Sequence, residues 1–161
     1  MDAFTLKRAG VGDADTALAI SKACQAIPHT HWTDEYPSRE VFAEDIQEGA
    51  LYLFLESGEP IGMGVVMAHD DVCDLPLAFG GQKPCVLARL GILPTRQGRG
   101  LGGTLLRLLE QAGKAQGYDS ARLLCDEENP ITNRLYQHAG YAELGAAALY
   151  GSRYRVYEKL F

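Results

Sequence analysis

A chain of 161 residues, 47% hydrophobic and 22% charged, is long enough to bury a full core and reads as one globular domain over 1–161. Its net charge of -6 argues against nucleic acid or an anionic membrane surface as the partner and only weakly favours a cationic one. No apolar run approaches the length of a membrane span, and charges interrupt the N-terminal region where a signal peptide would be apolar. Cys24, Cys73, Cys85 and Cys125 show neither close pairing nor metal-ligand spacing, so the expectation is a cytoplasmic protein with reduced thiols and no metal.

Phe4 to Arg8 alternates as a first strand. Asp13 or Asp15 can cap a helix carrying Ala17, Leu18, Ile20, Ala23, Cys24 and Ile27, which Pro28 ends. A polar, aromatic loop from His29 to Pro37 leads to Ser38, a good cap for a second helix with Val41, Phe42, Asp45 and Ile46 on one side. Gly49 closes that helix. Leu51 to Leu55 and Ile61 to Met67 read as two strands joined by a hairpin-like turn at Ser57–Pro60. Residues 69–84, with Gly, Pro and Asp, form a loop long enough for a lid or pocket wall.

Cys85 to Leu93 is an apolar fourth strand. Leu101, Leu105, Leu108, Leu109 and Ala112 then recur at helical spacing, and Gly117 ends that helix. Ala121 to Cys125 is a fifth strand, and a helix between two strands implies a parallel βαβ unit. Pro130 opens a last helix with Ile131, Leu135 and Ala139 on one face, closed by Gly140. Tyr141 to Ala148 and Arg153 to Phe161 close the chain as paired strands. The expected class is α/β, with a mixed central sheet of about seven strands and flanking helices.

Between the fourth strand and its helix stands Pro94-Thr-Arg-Gln97-Gly98-Arg99-Gly100-Leu101-Gly102-Gly103. A glycine turn at a helix N-terminus offers unpaired amides and partial positive charge to an anion, with no Cβ atoms in the way. A kinase-like P-loop fails because no lysine precedes Thr104. The spacing of Gly98, Gly100 and Gly103 also fits a dinucleotide fingerprint, with Asp126 ending the next strand. Against that reading, Pro94 to Gln97 separates strand from turn, and only 35 residues follow Asp126, too few for the remaining parallel strands.

Gln97-x-x-Gly100-x-Gly102 after Leu-Gly-Ile-Leu-Pro94 resembles the pyrophosphate turn of the GNAT superfamily of acyl-CoA-dependent N-acyltransferases. Asn129-Pro-Ile-Thr-Asn-Arg-Leu135-Tyr136-Gln-His-Ala-Gly140-Tyr141 is similar to a second block of that superfamily, with Thr132 where Ala is usual and Tyr141 where Phe is usual. The resemblance spans nearly the whole chain. It implies fourth and fifth strands that splay apart to admit acyl-CoA, pantetheine pairing along Leu90, Gly91 and Ile92, and pyrophosphate on the amides of Gly98, Arg99, Gly100, Leu101, Gly102 and Gly103. Arg96 or Arg99 is placed to reach a further phosphate, and Asn129 to bond pantetheine or to cap its helix.

Tyr136 matches the family tyrosine beside the thioester sulfur, a general acid for the departing thiolate. Backbone amides near Leu90 to Ile92 are the natural oxyanion donors. The fifth-strand carboxylate that some relatives carry is Leu124 here, so the general base stays open among Asp34, Glu35, His29, His31 and Asp126. The aromatic loop with Trp32 and Tyr36 is the first choice for the acceptor wall, and residues 69–84 the second. The implied activity is acetyl transfer from acetyl-CoA, as cosubstrate, to a primary amine of a small molecule or to a peptide N-terminus, by direct attack in a ternary complex. The alternative is a non-catalytic acyl-CoA-binding or sensing module. A homodimer is compatible with the family.

Overall fold

A computed structural model describes residues 3–161. Its described residues form β1 (Phe4–Arg8), α1 (Ala14–Cys24), α2 (Arg39–Gln47), β2 (Leu51–Glu56), β3 (Glu59–Met67), β4 (Pro84–Ile92), α3 (Leu101–Ala115), β5 (Ser120–Asp126), α4 (Pro130–His138), β6 (Ala142–Leu149) and β7 (Ser152–Leu160). The strands form a seven-stranded mixed sheet in the order β1-β2-β3-β4-β5-β7-β6. The α/β class and the parallel β4–β5 pair expected from the sequence are both present. Among the described residues no helix is long and apolar enough to cross a membrane.

Two compact units divide the chain: one holds residues up to Val66 together with Arg89–Leu109, the other Met67–Ala88 with Glu110–Phe161. In the first unit β1, β2 and β3 pair antiparallel. Leu51, Leu53, Phe54, Ile61, Met63 and Val65 are each at most 2% exposed, so β2 and β3 are covered on both faces and show no in-out alternation. Leu109 of α3 packs on β3 at Gly64, where an added Cβ would lie 2.5 Å from the leucine Cδ1. The β2–β3 turn uses Ser57 and Gly58 at φ 49° and 84°, a two-residue hairpin turn whose twist matches the strands.

Two helix boundaries depart from the sequence expectation. Asp13 does not cap α1 with its side chain; its carboxylate accepts from the Gly10 amide at 2.8 Å and from Lys7 at 3.0 Å, closing a short 3-10 turn instead. Helix α1 also stops at Cys24, before Ile27, because Pro28 disfavours helical backbone in the residue preceding it. Ser38 caps α2 as expected, accepting from the Val41 amide at 3.2 Å.

In the second unit β4 and β5 pair only over Pro84–Ser120, Cys85–Ala121 and Val86–Arg122, the first three positions of the two strands. β5 pairs antiparallel with β7, and β7 with β6, across a register shift between Glu143 and Gly145. The 69–84 segment is a loop, as expected, and it is anchored. Glu158 accepts from the amides of Gly80 at 2.6 Å and Gly81 at 3.2 Å and from Arg122 at 3.1 Å. The Arg122 guanidinium also stacks 3.8 Å from the Phe79 ring centroid, while Val72 joins Val86 and Val156 in an apolar cluster. On α4 the buried face is Asn133 and Tyr136, and Ile131 is 78% exposed. The Ile131–Leu135–Ala139 stripe is therefore not the packed side.

Candidate functional site

In the first unit, β4 runs out through Leu90, Gly91 and Ile92 into Pro94–Arg96, a single 3-10 turn, and then into the glycine turn. Arg89 interrupts the strand with φ 47°, left-handed backbone that costs a non-glycine residue about 1 kcal/mol. A clasp holds it there. Its Nε and Nη2 donate to Asp45 of α2 at 2.8 and 2.6 Å, with both side chains largely buried, and its Nη1 donates to the Tyr36 hydroxyl at 3.2 Å. Two residues further, Gly91 faces the Trp32 ring; a Cβ there would lie 2.9 Å from Cη2 and 3.3 Å from the Cys24 sulfur. The structure thus brings the 29–37 loop onto the strand segment singled out in the sequence through Trp32 at Gly91, and onto the preceding Arg89 through Tyr36.

Gly98 and Gly100 have φ 79° and 74°, and a Cβ on either would meet nothing within 4 Å. Their backbone therefore faces open space just before Leu101, the buried first residue of the 15-residue helix α3, with Gly102 and Gly103 in its first turn. A glycine turn with no Cβ in the way at a helix N-terminus is a chemistry that suits a diphosphate. The side chains of the turn make contacts within the chain. Gln97 donates through Nε2 to the Ile92 carbonyl at 2.8 Å and through its amide to Pro94 at 3.2 Å, so it braces the turn. Arg99 is clasped by both Glu56 oxygens at 2.7 and 3.1 Å, and Arg96 reaches Glu59 at 3.3 Å. Hydrogen bonding from Arg99 holds the Glu56 carboxyl below the usual carboxylate range.

In the second unit, Asn129 caps α4, its side chain accepting from the Thr132 amide at 3.2 Å. Thr132, the departure from the usual alanine, lies 3.0 Å from the Cys125 sulfur. Tyr136 is 7% exposed, with the Tyr141 and Tyr157 rings 6.0 and 5.8 Å away. Burial, reinforced by Cys125 and Tyr157, pushes its phenol pKa well up, so the hydroxyl stays protonated at neutral pH.

Sequence reasoning missed the scaffold around Tyr136. Asn133 donates to the carbonyls of Asp126 at 2.9 Å and Asn129 at 2.7 Å and accepts from the Tyr157 hydroxyl at 2.8 Å. Tyr141 donates to Glu110 at 2.9 Å, and Lys159 reaches the same carboxylate at 2.8 Å. The one available signal was Asn133 itself, a poor helix former inside a helix and one turn after Asn129. Of the base candidates, His29, His31, Asp34 and Glu35 are exposed, and Asp126 accepts from the Glu128 amide at 2.7 Å.

Residues 19–141 match the family model described as Acetyltransferase (GNAT) family. The chain belongs to that family. It is thereby placed among enzymes that move acetyl groups, and both motif blocks lie within the matched stretch. A GNAT acetyltransferase of Streptococcus agalactiae superposes with a TM-score of 0.83 at 21% identity, covering 98% of this chain and 95% of that one. The PaiA N-acetyltransferase of Thermoplasma acidophilum, in complex with coenzyme A, gives a TM-score of 0.74 at 17% identity over 100% of both chains. At those identities the likeness is one of fold. In sequence, the chain is 37% identical over 62 residues to a mycothiol acetyltransferase of Beutenbergia cavernae, a match spanning 38% of this chain and 21% of that protein.

Proposed function

We propose that this GNAT-family chain is an acetyl-CoA-dependent N-acetyltransferase that passes the acetyl group to a primary amine of a small molecule or peptide by direct attack in a ternary complex. The observation that carries the proposal is the open glycine turn. Positive φ at Gly98 and Gly100, with nothing within 4 Å of either Cβ position, leaves the approach to the turn clear, and the first amides of α3 have no partner within the helix. That is a donor set for the pyrophosphate of coenzyme A.

Acetyl-CoA supplies an acetyl group activated as a thioester. The backbone of Leu90, Gly91 and Ile92 pairs with the pantetheine arm and offers amides to the thioester oxygen as charge develops on it. Amides of Gly98 to Gly103 hold the pyrophosphate, with Gln97 fixing the turn behind them. Arg99 meets phosphate only by loosening its hold on Glu56. Tyr136, kept protonated by burial, donates to the departing thiolate. Asn129 combines its capping role with a hydrogen bond to pantetheine.

The test follows release of free thiol from acetyl-CoA across an amine library that includes peptides and amino sugars. Acetyl-CoA-dependent release stimulated by at least one amine is expected, and Tyr136→Phe should lower turnover about 100-fold while leaving coenzyme A affinity within about twofold. Unchanged turnover in Tyr136→Phe removes that residue from the mechanism. Binding of coenzyme A with no acceptor-stimulated release would favour a sensing module, which the exposed base candidates and Leu124 leave in play.

A further inference from the structure

Trp32 enters the first unit from the loop between α1 and α2 and lies with the rim of its six-membered ring on the backbone of Gly91. A Cβ on Gly91 would stand 2.9 Å from Cη2, 3.0 Å from Cζ3 and 3.3 Å from the Cys24 sulfur. The side of β4 on which residue 91 would carry a side chain is therefore filled by indole and thiol, and only glycine fits beneath them. The loop around the ring is fixed. Thr30 Oγ1 accepts from the Trp32 amide at 3.3 Å, and Thr33 Oγ1 accepts from the amides of Glu35 and Tyr36 at 3.1 and 3.2 Å. The Thr33 amide donates to the Tyr36 carbonyl at 2.7 Å, and the Tyr36 hydroxyl accepts from Arg89, itself locked to buried Asp45. The same strand that Trp32 covers thus also anchors the loop carrying it.

We propose that Trp32 is the specificity-determining residue for the acyl donor: its ring walls the acyl pocket at Gly91, so that acetyl is accepted and four-carbon acyl groups are refused. The inference rests on the reading above that the thioester lies along Leu90 to Ile92. A thioester oxygen bonded to an amide in that segment puts the acyl carbon within contact distance of whatever covers Gly91. A flat, half-buried, uncharged ring in a hydrogen-bonded loop yields little to added methylene groups and offers no partner to a charged acyl group. Pockets that resist one methylene discriminate by about 10- to 200-fold.

Calorimetric titration with coenzyme A, acetyl-CoA, propionyl-CoA and butyryl-CoA tests this without an identified amine. For the unaltered chain, butyryl-CoA should bind at least about tenfold more weakly than acetyl-CoA. Trp32→Ala should bring the two within about threefold of each other, with Trp32→Phe between, while affinity for unacylated coenzyme A stays within about twofold in all three proteins. A ratio that Trp32→Ala leaves unchanged, or an unaltered chain that binds both acyl forms equally, overturns the assignment. Absence of coenzyme A binding altogether overturns the underlying reading, a separately visible result. A melting transition confirms that each variant is folded, and Trp32→Phe, which keeps a ring in place, carries the test if the alanine variant does not fold.

Discussion

Tyr136, Cys24, Cys85 and Cys125 are buried groups whose protonated, uncharged forms the fold favours. Burial pushes each of the three thiols from an ordinary 9.0 up to about 11. The native chain at pH 8 should therefore react slowly at these three positions, with half-exposed Cys73 labelled first, and all four thiols should become available in denaturant. A thiol count over time with a disulfide reagent checks this; rapid labelling of Cys24 would contradict it. The same groups set a pH dependence. A folded value raised above the unfolded one means stability fully present below pH 9.0 and lost as pH climbs toward about 11. Melting temperature should then hold level to about pH 8.5 and fall beyond pH 9.

Two clasps between elements carry more weight than their sequence suggests. The Asp45–Arg89 pair joins α2 to the left-handed point of β4, with side chains 6% and 12% exposed. Asp45→Asn leaves a guanidinium buried without its counter-charge, and chemical denaturation should show a loss of about 3 to 5 kcal/mol. A loss below about 1 kcal/mol would mean that water reaches the pair as it does an exposed one. Glu56, by contrast, holds Arg99, the side chain that the proposed mechanism brings to phosphate. Glu56→Gln should tighten coenzyme A binding by up to about fivefold at low salt, the range of an exposed pair, and weaker binding would show that Arg99 needs Glu56 for its placement.

Neither clasp was legible in the sequence. Asp45 looked like one more member of a helix face, and Arg89 like a charge within an apolar strand. Their meeting depends on tertiary approach of residues 44 positions apart. The glycine turn was legible because its chemistry is local: positive φ, absent Cβ and a following helix are all encoded in one short run.

At the scale of the whole chain, element order and the parallel β4–β5 pair could be read from periodicity and punctuation, and both motif blocks from their resemblance to the family. What could not be read was the inner face of α4, because Asn133 is buried for its hydrogen bonds while Ile131 is left outside. The 69–84 segment is the expected loop, but what anchors it could not be read either. Its glycines and aspartates signal a loop, but the Arg122–Glu158 pair that binds it down comes from β5 and β7. Local composition reports where the chain turns; long-range polar partners decide what stays put.

In the proposed mechanism the acceptor is chosen by side chains on loops, and the donor by the glycine turn and the strand and helix that flank it. The central claim therefore concerns the donor, and the most direct measurement is a pair of calorimetric titrations, one with coenzyme A and one with NAD. The account predicts saturable binding of coenzyme A, abolished by Gly100→Val, and no binding of NAD. Saturable binding of NAD with none of coenzyme A would contradict it.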